Sequence, residues 1–235
     1  MFGLGYFYGI DITYIIFVMP ALIFAMYAQS KVNTTFNKYR TVNNRRGYTG
    51  AEIARRILDM NGLSNVIVER VAGNLTDHFD PKTNVVRLSD ATYSSTSVAA
   101  IGVAAHEVGH AVQYAEGYAP IKVRNAIVPV VQIASYAAWP LAIFGILLSF
   151  SGLANFGVIL FGLVVLFQLI TLPVEFNASN RAIKTLGDNA ILAGEELAAS
   201  KKVLSAAAMT YVASAAVAIA NLLRLLALVG RGNRD

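Results

Sequence analysis

Two histidines and a glutamate within residues 106–110 have the types and the spacing of a metal-dependent hydrolytic site. His106 and His110 are four residues apart, so on a helix both imidazoles lie on one face and can bind the same metal ion. Glu107 can then accept a proton from a water bound to that metal. The apolar run at residues 97–105 predicts the helix that carries the motif. Two neutral imidazole nitrogens at this spacing indicate zinc.

A catalytic zinc site usually has a third protein ligand, and two carboxylates are candidates for it. Glu116 stands where the longer metzincin motif has a third histidine, but Gln113 stands where that motif has a glycine. Glu175 follows a long uncharged stretch, where a carboxylate is costly unless it is paired or bound to a metal. A glutamate at such a place can also be an ordinary interfacial residue. We expect Glu175 to be the third ligand, with Glu116 as the alternative.

The composition predicts a membrane protein. Hydrophobic residues make up 56% of the 235 residues and charged residues only 14%, against about 25% charged residues in soluble chains. Four uncharged stretches reach the roughly 20 residues that a helix needs to cross a bilayer, and a chain this short cannot bury them all in a soluble core. They are residues 12–30, 125–150, 153–174 and 203–223.

The absence of cysteine excludes disulfides, thiolate metal sites and cysteine nucleophiles. The net charge of +5 does not indicate nucleic-acid binding, because the basic residues cluster beside the uncharged stretches. The positive-inside rule places these clusters in the cytoplasm, and the amino terminus and the turn near Gly152 outside. The clusters are Lys31, Lys38, Arg40, Arg45 and Arg46, then Lys122 and Arg124, then Arg181, Lys184, Lys201 and Lys202.

The region between the first two stretches has the pattern of a small α+β domain. Thr49 and Glu52 form a capping-box pattern, which predicts a helix that runs to Met60, with Gly62 just past its end. Two strands are predicted on either side of a turn-rich segment, at residues 66–71 and 85–89. We expect the second to be an exposed edge strand that can pair with a substrate peptide, although a purely structural hairpin fits equally well. Its residues are Val85, Val86, Arg87 and Leu88.

We predict five segments along the chain. Residues 1–30 form an N-terminal membrane span. Residues 31–124 form a cytoplasmic α+β peptidase region with the metal-binding helix, and residues 125–174 form a membrane helical hairpin. Residues 175–202 hold the glutamate ligand and a cytoplasmic helix. Residues 203–235 form a C-terminal helix and tail, and this helix either crosses the membrane or associates with it.

Several blocks of the sequence together resemble the YugP-type neutral zinc metallopeptidases of bacterial membranes. The blocks are residues 77–81, 86–89, 103–111, 172–179 and 206–213. The plan is more distantly similar to HtpX and the CAAX prenyl proteases, which also place membrane helices between an H-E-x-x-H motif and a glutamate ligand. Those families have an aspartate, which orients a ligating histidine, where this chain has Ser179. Ser179, Asn180 and Asn177 are the candidates to replace it.

The resemblance implies a membrane-bound, gluzincin-like zinc endopeptidase that hydrolyses peptide bonds. The expected fold is a mainly α membrane protein with about four membrane helices and a small α+β cytoplasmic zincin-like region. Its cofactor would be Zn²⁺, held by His106, His110 and Glu175, with Glu107 as the catalytic base. Further candidates for stabilising the transition state or supporting the ligands are His78, Ser179, Arg181, Tyr211 and Arg224.

The expected surroundings are the cell membrane of a bacterial-type cell, crossed several times, with the catalytic site on the cytoplasmic side. The substrate would be a peptide or a membrane protein, and the sequence indicates no oligomeric state. A non-catalytic zinc-binding scaffold or partner-binding protein is the alternative, and Glu107 argues against it because a structural site has no use for a base. A transporter is disfavoured because few polar residues lie within the spans.

Overall fold

The computed structural model describes residues 11–232, so the predicted external amino terminus, residues 1–10, lies outside the described residues. The backbone divides into two compact units. The first, called here the helical unit, consists of Met1–Ala28, Val123–Leu172 and Thr210–Asp235. The second, called here the mixed unit, consists of Gln29–Lys122 and Pro173–Met209.

Four long helices correspond to the four uncharged stretches, and each is long and apolar enough to cross a membrane. This confirms the prediction of a mainly α protein, with four candidate membrane helices in the part of the chain that the structure describes. A π-helical turn at Tyr14–Val18 leads directly into the first of them. The four helices are α1 (Met19–Tyr39), α5 (Ala119–Leu147), α6 (Ser151–Asp188) and α7 (Glu195–Gly232).

Small residues allow the helices of the helical unit to pack closely. A Cβ atom on Gly157 of α6 would lie 2.6 Å from the carbonyl oxygen of Ala138 and 2.6 Å from the amide nitrogen of Ala142, both on α5. Close backbone approach through small residues is the usual way in which helices associate in a bilayer, because lipid supplies no hydrophobic driving force. The same two alanines belong to a buried cluster that also contains Phe161, Val165, Ala218 and Leu225.

The mixed unit contains three shorter helices, and their ends follow from local sequence. Helix α2 (Gly50–Met60) begins at the predicted capping box, where Thr49 and Glu52 hydrogen-bond to each other's backbone amides. It ends before Gly62, whose φ of +71° lies in the left-handed region that glycine adopts freely. Both predictions are confirmed. The other two are α3 (Asp90–Tyr93) and α4 (Val98–Ala115).

The mixed unit also holds a three-stranded sheet formed by β1 (Ile67–Val71), β2 (His78–Asp80) and β3 (Val85–Ser89). The strand order is β1-β3-β2, with β3 parallel to β1 and antiparallel to β2. The prediction of an exposed edge strand is therefore wrong for β3. Strand β2, which no sequence pattern predicted, occupies the side of β3 that was expected to be open. The residues affected are Val85, Val86, Arg87 and Leu88.

Helix α6 is longer than the uncharged stretch that predicted it. Its 38 residues extend about 57 Å at 1.5 Å per residue, nearly twice the roughly 30 Å of a bilayer core. Glu175 therefore lies inside a continuous helix, whereas it was predicted to start a separate segment. The part of α6 from Pro173 onward belongs to the mixed unit, together with the motif helix α4.

Candidate metal centre

Three potential metal ligands from two helices converge inside the mixed unit. His106 and His110 lie one turn apart on α4, and Glu175 lies on α6. The two histidine Nε2 atoms are 3.2 Å apart. Oε2 of Glu175 lies 3.3 Å from Nε2 of His106 and 3.4 Å from Nε2 of His110. All three residues are buried, so their polar atoms have little access to bulk water.

The spacing and chemistry of these three atoms fit zinc. Ligand nitrogens and oxygens lie about 2.0–2.2 Å from zinc, and two ligands at a tetrahedral angle are then about 3.3 Å apart. The observed separations of 3.2, 3.3 and 3.4 Å are all close to this value. Two imidazoles and one carboxylate are also a known donor set of catalytic zinc, with a fourth position left for water or substrate.

Glu107 lies beside this cluster with its side chain buried. Burial raises the pKa of the Glu107 carboxyl above its ordinary value. The nearby histidines act in the opposite direction, and the carboxylates of Asp77 and Glu175 raise the pKa further. A carboxyl whose pKa is raised toward neutrality is better suited to both accept and return a proton.

His106 is held by the residue that replaces the expected aspartate. Its Nδ1 atom lies 3.1 Å from Oγ of Ser179 on α6. Nε2 of His106 faces the ligand cluster and presents its lone pair there. Nδ1 therefore carries the hydrogen and donates a hydrogen bond to the serine hydroxyl oxygen. Ser179 thus contacts the histidine that we expect to be a ligand. Asn180, another of the suggested substitutes, instead lines a cleft of about 470 Å³.

His110 is held by a chain of hydrogen bonds whose direction can be assigned. Nε of Arg181 can only donate, so its contact of 2.7 Å fixes the accepting oxygen of Asn177. The same oxygen accepts from Nε2 of Gln113 at 2.9 Å, and this nitrogen also donates to the Val174 carbonyl at 2.8 Å. The remaining oxygen of Gln113 must face Nδ1 of His110, 3.0 Å away. Nδ1 therefore carries the proton and Nε2 presents a lone pair toward the cluster.

A close approach of α4 to α6 brings the ligands together. A Cβ atom on Gly109 would lie 2.9 Å from the carbonyl oxygen of Ala178. That contact is with backbone, so no side chain can rotate away to relieve it. The glycine between the two histidines thus allows α6 to lie near enough for Glu175 and Ser179 to reach them.

The other predicted residues take different places. Glu116, the alternative ligand, ends α4 and forms an ion pair of 2.7 Å with Arg181. Arg181 in turn supports the chain of hydrogen bonds to His110 through Asn177. His78 lies exposed on β2, where its Nδ1 is 2.8 Å from the Thr76 carbonyl oxygen.

Two candidates for the transition state, Tyr211 and Arg224, belong to the helical unit. Arg224 pairs with Asp11 at 3.7 Å, and its guanidinium stacks on the rings of Tyr14 and Trp139 at 5.0 and 5.3 Å. The described contacts thus give Arg224 a structural role, because they link three helices of that unit.

Gln113 and Asp77 were not among the site residues predicted from the sequence. Gln113 is fully buried one turn beyond His110. A buried amide in an apolar helix is costly unless it is hydrogen-bonded. A glutamine in this apolar helix could therefore have indicated a hydrogen-bonded site residue. Asp77 accepts hydrogen bonds from the backbone and hydroxyl of Ser89 at 2.8 and 2.9 Å. No local pattern indicates that contact, because it depends on the pairing of the strands.

Four long apolar helices and a buried donor set suited to zinc define a class, namely a membrane protein with a potential metal site. The chain belongs to the family described as "Putative neutral zinc metallopeptidase", whose profile matches residues 14–230. It is also 49% identical over 222 residues to the "Putative membrane protease YugP" of Bacillus subtilis (strain 168), a match that covers 94% of this chain and 99% of that protein. No solved structure matches the chain.

These comparisons confirm the resemblance noted from the sequence. The chain is a metallopeptidase of the membrane, and its cofactor is zinc.

Proposed function

We propose that this protein is a multi-pass membrane zinc endopeptidase in which His106, His110 and Glu175 hold the metal and Glu107 is the catalytic base. The observation that carries this proposal is the convergence of three ligand atoms at separations of 3.2–3.4 Å beside a buried glutamate. A purely structural zinc site would gain nothing from a buried carboxyl that must be desolvated at a cost.

Each residue of the proposed site has a separate role in peptide hydrolysis. Zinc held by His106, His110 and Glu175 would supply a Lewis acid to polarise the scissile carbonyl and to lower the pKa of the attacking water. Glu107 accepts the proton of that water on its carboxylate and returns it to the departing amine. Ser179 and Gln113 hold the two imidazoles in the tautomer that directs Nε2 toward the metal.

Substrate would pair with β2, because this is the sheet edge nearest to the motif helix. Phe79 of β2 packs against Tyr114 of α4 with ring centroids 6.1 Å apart. Asp77, which precedes β2, is close enough to Glu107 to affect its pKa. An extended peptide can add a strand to such an edge through main-chain hydrogen bonds. The β2 edge is short, so side-chain contacts would add to the binding.

The zincin-like region is proposed to lie in the cytoplasm. The support for this is the distribution of charge, because basic residues flank the long helices on the sides that join the mixed unit. The substrates would then be the cytoplasmic segments of membrane proteins, or peptides that reach the inner membrane surface.

A cleavage assay on detergent-purified protein tests the proposal. We expect the wild-type protein to cleave casein or a quenched fluorescent peptide internally, and a chelator to abolish the cleavage. Glu107→Gln should retain zinc, because this residue is not a ligand, and should lose activity by about 10²–10⁴-fold. Zinc content is measured in parallel by atomic emission.

Two results would contradict these roles. Loss of zinc from Glu107→Gln would make Glu107 a ligand, and full activity of this variant would remove it from the chemistry. A wild-type protein that retains zinc but cleaves no substrate would favour the zinc-binding scaffold.

A further inference from the structure

A groove rich in lysine lies in the mixed unit between the end of α1 and the start of α7. Its volume is about 740 Å³, within the range of about 300–1,000 Å³ that is usual for small-molecule sites. Four lysines line it, two from each helix: Lys31, Lys38, Lys201 and Lys202. The two helices also meet in a small buried cluster that contains Phe36 of α1 and Val203 of α7.

The charge of the groove is complementary to an anion. Within the described part of the chain, no acidic side chain lines it. The first turn of α7 carries two glutamates, Glu195 and Glu196, and neither lines the groove. Glu196 is turned toward Arg45, where it accepts from the backbone amide at 2.8 Å. Four like charges in one groove repel each other, and a bound anion would relieve this repulsion. Hydroxyls of Thr34, Thr35 and Ser205 add neutral donors that suit phosphate oxygens.

The position of the groove along the helices indicates where such an anion comes from. The uncharged stretch of α1 ends at Ser30, directly before Lys31. The uncharged stretch of α7 begins at Val203, directly after Lys202. Lysines at the ends of membrane helices lie at the level of the lipid headgroups. The groove therefore opens where both helices pass from the apolar to the polar region.

The lining changes from polar to apolar along α7. Lys201 and Lys202 are followed one and two turns later by Ala206 and Met209, which also line the groove. A ligand with a phosphate at one end and a hydrocarbon chain at the other would contact both the lysines and the apolar residues. A soluble anion would contact only the lysines.

We propose that this groove is a binding site for an anionic phospholipid, with the headgroup phosphate among the four lysines and an acyl chain along Ala206 and Met209. The site is separate from the metal ligands and does not depend on the proposed chemistry. It would fix the junction of α1 and α7 at the membrane surface and make the protein sensitive to the lipid composition around it.

Native mass spectrometry of the full-length, delipidated protein in mild detergent tests this site. The probes are phosphatidylglycerol and phosphatidylcholine with the same acyl chains, so only headgroup charge differs. We expect one phosphatidylglycerol to bind per chain and to be preferred over phosphatidylcholine by at least about tenfold. Lys38→Gln/Lys202→Gln should weaken its binding by about 25-fold, since each basic group contributes roughly fivefold near an anionic surface.

The matched control removes the same charge outside the groove. Arg46→Gln/Lys122→Gln changes two exposed basic residues that do not line the groove, and we expect an affinity change of less than about threefold. If the first pair of substitutions lowers the Tm, Lys31→Gln/Lys201→Gln repeats the test from the other lysine of each helix. Glycerol phosphate in excess should not displace the lipid.

Three results would overturn the proposal. Equal losses in the groove and control variants would show that general surface charge is responsible. Equal binding of the two lipids would remove the anionic preference. Displacement by glycerol phosphate alone would make the groove a site for a soluble anion.

Discussion

Both histidines of the metal centre are oriented by neutral acceptors. Ser179 accepts from His106 and Gln113 accepts from His110, whereas the distant resemblance of the sequence to HtpX and the CAAX prenyl proteases led us to expect an aspartate at the position of Ser179. A neutral acceptor fixes the tautomer without adding charge to a buried cluster that already contains Glu107 and Glu175. The serine therefore preserves the orienting role while it limits the electrostatic cost of burial.

The role of Gln113 can be tested by removing its hydrogen bonds. Gln113→Leu should lower zinc affinity by about 10–100-fold, because His110 loses the acceptor that fixes its tautomer. Gln132→Leu, the same substitution at an exposed position of α5, should leave zinc affinity unchanged. Competition with a chromophoric chelator measures both variants. A lower Tm with unaltered zinc affinity would show that Gln113 serves only packing.

The choice of third ligand gives a second prediction at this scale. Glu175→Ala should release the zinc, because it removes one of three converging atoms. Glu116→Ala should retain it, because this residue is half exposed and only pairs with Arg181, a contact worth about 0–1 kcal/mol. Zinc content after dialysis distinguishes the two, and the reverse pattern would rule out the proposed ligand set.

At the scale of elements, the site depends on how closely α4 and α6 approach. Gly109→Ala should destabilise the protein by about 1–3 kcal/mol and weaken zinc binding, since the added Cβ atom overlaps the Ala178 backbone. Gly162→Ala provides the matched control, because this glycine is also inside a helix and has open space around its Cβ position. There we expect a gain of up to about 1 kcal/mol from helix propensity.

Thermal unfolding and zinc titration of the two glycine variants give the comparison. If Gly109→Ala binds zinc as tightly as the wild type, the close approach of the helices is not needed for the site.

At the scale of the whole molecule, the distribution of basic residues predicts the orientation in the membrane. Alkaline phosphatase fused near Gly152 should be active, because that turn is expected outside the cell. Green fluorescent protein fused near Asn43 or Thr185 should fluoresce, because those positions lie in segments expected in the cytoplasm. An active phosphatase fusion at Asn43 would invert the orientation and place the chemistry outside.

The features that the sequence determined by itself are local in origin. The spacing of His106 and His110 places them on one face of α4, and the capping box at Thr49 begins α2 where predicted. Length and lack of charge identified the four long helices. Each of these follows from helix periodicity, from contacts a few residues apart, or from composition, so no knowledge of the tertiary fold was needed.

The tertiary structure decided the features that depend on distant partners. Strand β2 pairs with β3, so β3 is the central strand of the sheet. The residue pattern of one strand cannot indicate this, because strand pairing depends on two segments of the chain. The contacts of Ser179 with His106 and of Gln113 with Asn177 join residues more than 60 positions apart. They exist because Gly109 allows α4 and α6 to meet, and sequence alone gives no distance between two helices that lie far apart along the chain.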